Sequence, residues 1–167
     1  MFETGLIKPF WGDKHTLLTY RDAQFNNPKD LELWKSLGYS ERDSVGGIYD
    51  MKNVMPEWTS PFFTMFGGTN VGVNFLRMRT GDLLPRHSDS YKTYINVHGI
   101  TDPTTIYRAI VFLEDWKSGH ILEVDDTPFT KWSAGDYVIW QYDTPHLAAN
   151  IGIDPRYTAQ ITFTKNV

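Results

Sequence analysis

The chain has 167 residues with 16 Lys and Arg against 20 Asp and Glu, a formal net charge of -4, and no Lys or Arg stands next to another. That balance excludes the dense cationic face of a phosphate-backbone binder, so nucleic acid is not an expected partner. Cysteine is absent, which removes disulfides, thiolate ligands and a Cys nucleophile together, so any metal must be held by His and carboxylate.

The first stretch, MFETGLIKPFWGDKH, starts acidic and is interrupted by Gly5 and Pro9. It lacks the basic and continuous apolar regions of a signal peptide, and no segment reaches the length of a membrane span. A cytoplasmic protein with no membrane partner is the default expectation. Repeats, low-complexity tracts and linkers are missing too, so one domain is expected, divided into an N-terminal flank over 1–70 and a core over 71–167.

Within the flank, NNPKDLELWKSLGYS predicts a short helix. Asn27 would cap it, Pro28 would occupy its first position, Leu31, Trp34 and Leu37 would share a face, and Gly38 would end it. MPEWTSPFFTMFGG, with two prolines and a Gly pair, predicts an irregular connection packed by its aromatics.

From Val71 the character changes. VGVNFLRMR, LLPRHSD, YKTYINV, IYRAIVFLE, HILEVDD, DYVIWQY, HLAANI and YTAQITFT are short runs rich in β-branched and aromatic residues, separated by turn residues. Eight such runs predict antiparallel strands in a sandwich or jelly-roll barrel. Trp132, Trp140, Phe112 and Phe163 are most simply core.

One tripeptide in LLPRHSD bears on chemistry. His87 and Asp89 stand at i and i+2, which on a strand share a face. Alone, a His-x-Asp is a weak signal and reads as easily as a surface hydrogen bond. His146, at the head of a later strand after YDTPH, would complete two histidines and one carboxylate if the barrel brings the strands together. That set holds one face of an octahedral iron and leaves the other open. Ten positions on, Arg156 in PRYTAQITF has the fork that grips a carboxylate through two parallel hydrogen bonds, and the Thr158 hydroxyl follows on the same side of the strand. Arg156 reads otherwise as a solvated residue of the Asp-Pro-Arg turn.

Taken in order, His87-Ser88-Asp89, His146, Arg156 and Thr158 resemble the pattern of the Fe(II)/2-oxoglutarate-dependent oxygenases. In that family a His-x-Asp/Glu is followed by a distal His, then an Arg or Lys, then a Ser or Thr two further on. WSAGDYVIWQYDTPH is similar to the family's Gly-Asp turn and the strand entering the distal His. In many members a Gly-Gly pair stands where this chain has Gly119-His120, and larger members carry more extensive N-terminal helices than the flank here.

The resemblance implies a mainly β fold, a double-stranded β-helix of the jelly-roll, cupin-like kind, with a short helical or irregular N-terminal flank. It implies Fe(II) held by His87, Asp89 and His146, these three being the catalytic residues, with 2-oxoglutarate and O2 as cosubstrates and Arg156 and Thr158 on the 2-oxoglutarate. Tyr94, Asn96 and Tyr107 are secondary candidates for a hydrogen bond to it. The implied activity is a dioxygenase, a hydroxylase acting on an unactivated C–H with release of succinate and CO2. Keeping Asp89 sets the chain apart from the halogenating branch, where a small residue replaces the carboxylate. The alternatives are a cupin-type metalloenzyme without 2-oxoglutarate and a non-catalytic jelly-roll binding protein. No loop carries a substrate signature, so a small molecule, a free amino acid and a peptidyl side chain are all open.

Overall fold

The computed structural model describes residues 1–23, 25, 27–40 and 46–165. Eleven strands and two α-helices occur among them: β1 (Phe2–Leu6), β2 (Arg21–Ala23), α1 (Pro28–Ser36), β3 (Gly46–Tyr49), β4 (Thr69–Met78), β5 (Leu83–His87), α2 (Lys92–His98), β6 (Ile106–Phe112), β7 (His120–Val124), β8 (Thr127–Phe129), β9 (Asp136–Gln141), β10 (His146–Asn150) and β11 (Arg156–Thr164). A major sheet runs β1-β9-β6-β11-β4-β3-β2, and a minor sheet runs β5-β10-β7-β8. All pairings are antiparallel. The expected mainly β, double-stranded β-helix class is what the chain adopts. No helix among the described residues is long and apolar enough to cross a membrane.

The major sheet is covered on both faces, and its alternation shows how. Along β11, Ala159, Ile161 and Phe163 join Val73 and Phe75 of β4 and Ala109 and Val111 of β6 in one buried cluster. The flank covers that cluster with Trp11 and Phe62, the latter from a 3-10 segment over Glu57–Phe63. Burying an aromatic of this size contributes about 1.5 to 3 kcal/mol, so the flank is part of the core and not an appendage. The opposite parity, Arg156, Thr158 and Gln160, lines a cavity between the two sheets. There Ile110, Phe112, Val138 and Trp140 meet Leu122 and Val124 of β7 in a second cluster.

Helix α1 forms for the reasons its sequence gives. Asn27 accepts from the Lys29 N–H at 3.3 Å, and Pro28 opens the first turn. Gly38 closes the helix at φ +96°, its N–H donating to Lys35 O at 3.1 Å and that of Tyr39 to Trp34 O at 3.0 Å, a Schellman ending. Of the expected face only Trp34 is buried, and Leu37 is exposed.

Two expectations need correction. The flank holds more than a short helix, because β1, β2 and β3 extend the major sheet at both ends. YKTYINV is the helix α2 and not a strand. Tyr91 takes left-handed backbone at φ +50°, which turns the chain out of the extended path just before Lys92, and Gly99 at φ +62° ends the helix. Its β-branched and aromatic residues favour a strand locally, and this tertiary context overrides them.

Candidate active site

Strands β5 and β10 are register partners at His87 and His146. Between Leu84 and His87 the first strand has one more residue than its partner has between His146 and Ala148, a β-bulge. The extra residue lets both Leu84 and His87 face the cavity despite their odd separation. The strand then ends, so Asp89 reaches the site from the following loop and not by strand alternation.

The two rings lie 4.4 Å apart between centroids. His87 Nδ1 donates to Pro85 O at 2.8 Å and His146 Nδ1 donates to Thr144 O at 3.0 Å. A carbonyl only accepts, so each Nδ1 carries the hydrogen, and each neutral ring presents the lone pair of Nε2. His87 Nε2 is 3.6 Å from Asp89 Oδ1, and His146 Nε2 is 3.4 Å from Asp89 Oδ2. Ligand atoms of the three residues all lie within 4.8 Å of one another. With bonds of about 2.1 Å, neighbouring ligands of one ion stand about 3 Å apart, so this spacing closes on a metal with little movement. Both histidines are buried, and burial holds the His146 pKa down to about 4 against the opposing pull of Asp89. The residues fit a divalent metal, and an N,N,O set with open positions suits non-haem Fe(II).

Asp89 has a second neighbour that sequence reading missed. Arg108 Nη1 is 2.6 Å from Asp89 Oδ2. Burial alone would raise the Asp89 pKa, but Arg108 and the two histidines outweigh it and hold the carboxyl well below its usual range. Arg108 was detectable: in IYRAIVF it shares parity with the buried Ile110 and Phe112, an isolated charge on a core-facing row.

Arg156 lies in the same cavity, 5% exposed. Its Nη1 donates to the Met78 thioether at 3.0 Å, its Nε has no partner, and no carboxylate lies within ion-pair distance among the described residues. Burial without a counter-ion pulls its pKa down to about 10. The guanidinium sits 5.6 Å from the Trp132 ring and 5.9 Å from Phe112, two rings stacked 3.9 Å apart. His120, which replaces a glycine of the resembled pattern, donates from Nε2 to Asp154 O at 2.9 Å and stacks behind Trp132. Thr158 is buried on the same cavity wall.

The cavity is about 290 Å³ and brings His87, Asp89, His146, Arg156 and Thr158 together. The secondary candidates are elsewhere. Tyr107 is on the other face of β6, stacked on Phe163. Tyr94 on α2 donates to Asn70 O at 2.7 Å, and Asn96 is exposed on that helix. Arg86 pairs with Glu123 and Asp126 at 2.8 Å each, away from the cavity. Phe25 and Trp34 of the flank pack edge-on against His87, at 4.7 and 5.8 Å.

No family model matches the chain, and no curated protein matches it in sequence. Solved structures share its fold. A prolyl-4-hydroxylase from Pseudomonas putida superposes over 99% of this chain and 93% of its own, with a TM-score of 0.61 and 14% identity. The non-heme alpha ketoglutarate dependent epimerase SnoN of nogalamycin biosynthesis covers 72% of this chain and 61% of its own, with a TM-score of 0.54 and 16% identity.

Proposed function

We propose that the chain is an Fe(II)- and 2-oxoglutarate-dependent oxygenase that hydroxylates a C–H bond, with His87, Asp89 and His146 as metal ligands. The observation that carries this reading is Arg156: a buried guanidinium without a counter-ion, in the cavity that also holds the His–Asp–His cluster. An unpaired buried charge costs several kcal/mol, so its retention there points to an anionic ligand. A dicarboxylate fits, one end on Arg156 beside Thr158 and the other near the metal ligands. Fold likeness to a hydroxylase and to an alpha ketoglutarate dependent epimerase supports the same reading.

Bound by these three side chains, Fe(II) with 2-oxoglutarate and O2 supplies the oxidising power for hydroxylation, with succinate and CO2 as co-products. The chain's own part is to hold and to exclude. Pro85 O and Thr144 O fix the tautomers of His87 and His146. Arg108 keeps Asp89 ionised. Phe25, Trp34 and Trp140 place apolar surface against the imidazoles and keep water from their edges.

Anaerobic addition of Fe(II) and then 2-oxoglutarate tests the reading. A weak visible charge-transfer band that needs both additions is expected. Fe(II) binding with no band on adding 2-oxoglutarate would overturn it in favour of a cupin-type metalloenzyme, and absence of metal binding would favour a jelly-roll binding protein.

A further inference from the structure

A second, larger pocket of about 770 Å³ opens beside the cavity and shares Phe25, Asp89 and Arg108 with it. Its wall holds the Arg108 Nε, a buried donor with no partner among the described residues, and the buried Tyr91 hydroxyl, whose acceptor within reach is the carboxylate of Asp89. Tyr91 is 7% exposed, and its ring lies 4.7 Å from the Arg108 guanidinium carbon. It is held at φ +50°, left-handed backbone that is unfavourable for a bulky residue and recurs at functional sites. With Asp89 drawn to a metal, both donors need another acceptor, because a buried donor left unpaired is costly.

The charges of this pocket are also unbalanced. Its acids are taken: Asp50 pairs with Arg21, and Asp89 with Arg108. Lys52 and Lys92 on its rim are exposed and have no carboxylate within ion-pair distance among the described residues. Deeper in, on the reading of this site as an Fe(II)/2-oxoglutarate centre, Asp89 and the cosubstrate dianion bring three negative charges. The metal, Arg108 and Arg156 bring four positive ones, with both imidazoles neutral. One positive charge is left over in a largely water-excluded place.

We propose that the outer pocket binds the substrate through a carboxylate, which accepts from Arg108 and Tyr91 and is drawn in past Lys92 and Lys52. A monoanion removes the surplus charge and accepts from both donors at once. A neutral or cationic substrate does neither.

The test uses the anaerobic Fe(II) and 2-oxoglutarate complex of the full chain, at saturating 2-oxoglutarate so that Arg156 is already occupied. Appearance of the charge-transfer band reports on the cofactor reading alone; its absence sinks that reading and the proposal that rests on it. With the band present, matched probes are titrated and followed by the shift of the band and, with Mn(II) in place of Fe(II), by calorimetry. One arm sets straight-chain monocarboxylates against their primary amides. The other sets capped aspartyl dipeptides against capped asparaginyl ones, which separates a free acid from an acidic side chain. Acids of one arm are expected to bind at least about tenfold more tightly than their amides. In Tyr91→Phe that preference is expected to shrink several-fold while the band and Mn(II) affinity are retained, and Arg108→Gln is expected to abolish it. Equal binding of acid and amide, a preference untouched by Tyr91→Phe and Arg108→Gln, or no response to any probe in a complex with an intact band would overturn the proposal.

Discussion

His87 and His146 face each other across an antiparallel register pair, their ring centroids 4.4 Å apart and each Nδ1 tied to the carbonyl two residues earlier in the chain. The backbone therefore does the aiming. Each imidazole is fixed by a local bond that does not depend on the metal, so the pair is preorganised and only Asp89, on its loop, has freedom to adjust.

Replacing either histidine should then remove a ligand without unfolding the sheet. His87→Ala and His146→Ala are each expected to weaken Mn(II) binding by more than about 100-fold, beyond the effect of losing an outer-shell partner. Competition with a chelator measures this, and retention of affinity within tenfold would remove that histidine from the site.

Arg108 and Asp89 make a buried ion pair, so deleting the cation leaves a carboxylate uncompensated in the metal-free protein. Arg108→Ala is expected to lower metal-free stability by about 3 to 5 kcal/mol. A divalent metal supplies the missing charge, so Mn(II) should raise the melting temperature of the variant by more than it raises that of the wild type. Equal metal-induced shifts would contradict the pairing.

On the far face of the major sheet, Glu114 accepts from His15 Nε2 at 3.0 Å and from Lys117 Nζ at 2.8 Å. His15 first, then Lys117, hold its pKa down to about 2 against the opposing effect of burial. A folded-state pKa below the unfolded value stabilises the protein above about pH 4.5, and that contribution is lost as pH falls from 4.5 towards 2. Because the carboxylate is partly exposed, about 1 to 2 kcal/mol is expected after screening. Glu114→Gln should be less stable than wild type by that amount at pH 7 and equal to it near pH 2, as read by denaturant melts. A constant difference across that range would contradict the assignment.

Much of this could be read from the residues because the core strands are long runs of β-branched and aromatic residues bounded by turn residues. β6, β9 and β11 are buried on both faces, so their apolar content and not an alternation marks them, and Arg156 and Thr158 fall on the cavity face as their shared parity requires. β1 and β2 at the edges of the major sheet and β8 at the edge of the minor one escaped notice. FETGL, RDA and TPF are short, polar or broken by Gly and Pro, and edge strands need no apolar stripe. Asp89 lies beside His87, though not by strand alternation, since the strand stops before it. The left-handed turn at Tyr91 has no sequence signature of its own, and with it went the reading of α2. Arg108 could have been found, because a single charge on an otherwise apolar, inward row asks for a partner.

On the proposed reading Arg156, buried and without a counter-ion among the described residues, holds the far carboxylate of 2-oxoglutarate beside the metal ligands. Paired titration of wild type and Arg156→Gln, first with Mn(II) and then with 2-oxoglutarate, measures it directly. Deleting one partner of a buried charge pair costs about 2 to 5 kcal/mol, so 2-oxoglutarate should bind the variant roughly thirty-fold to several thousand-fold more weakly. Mn(II) affinity should stay within a few-fold, because His87, Asp89 and His146 are untouched. Equal 2-oxoglutarate affinity in the two proteins would contradict the account.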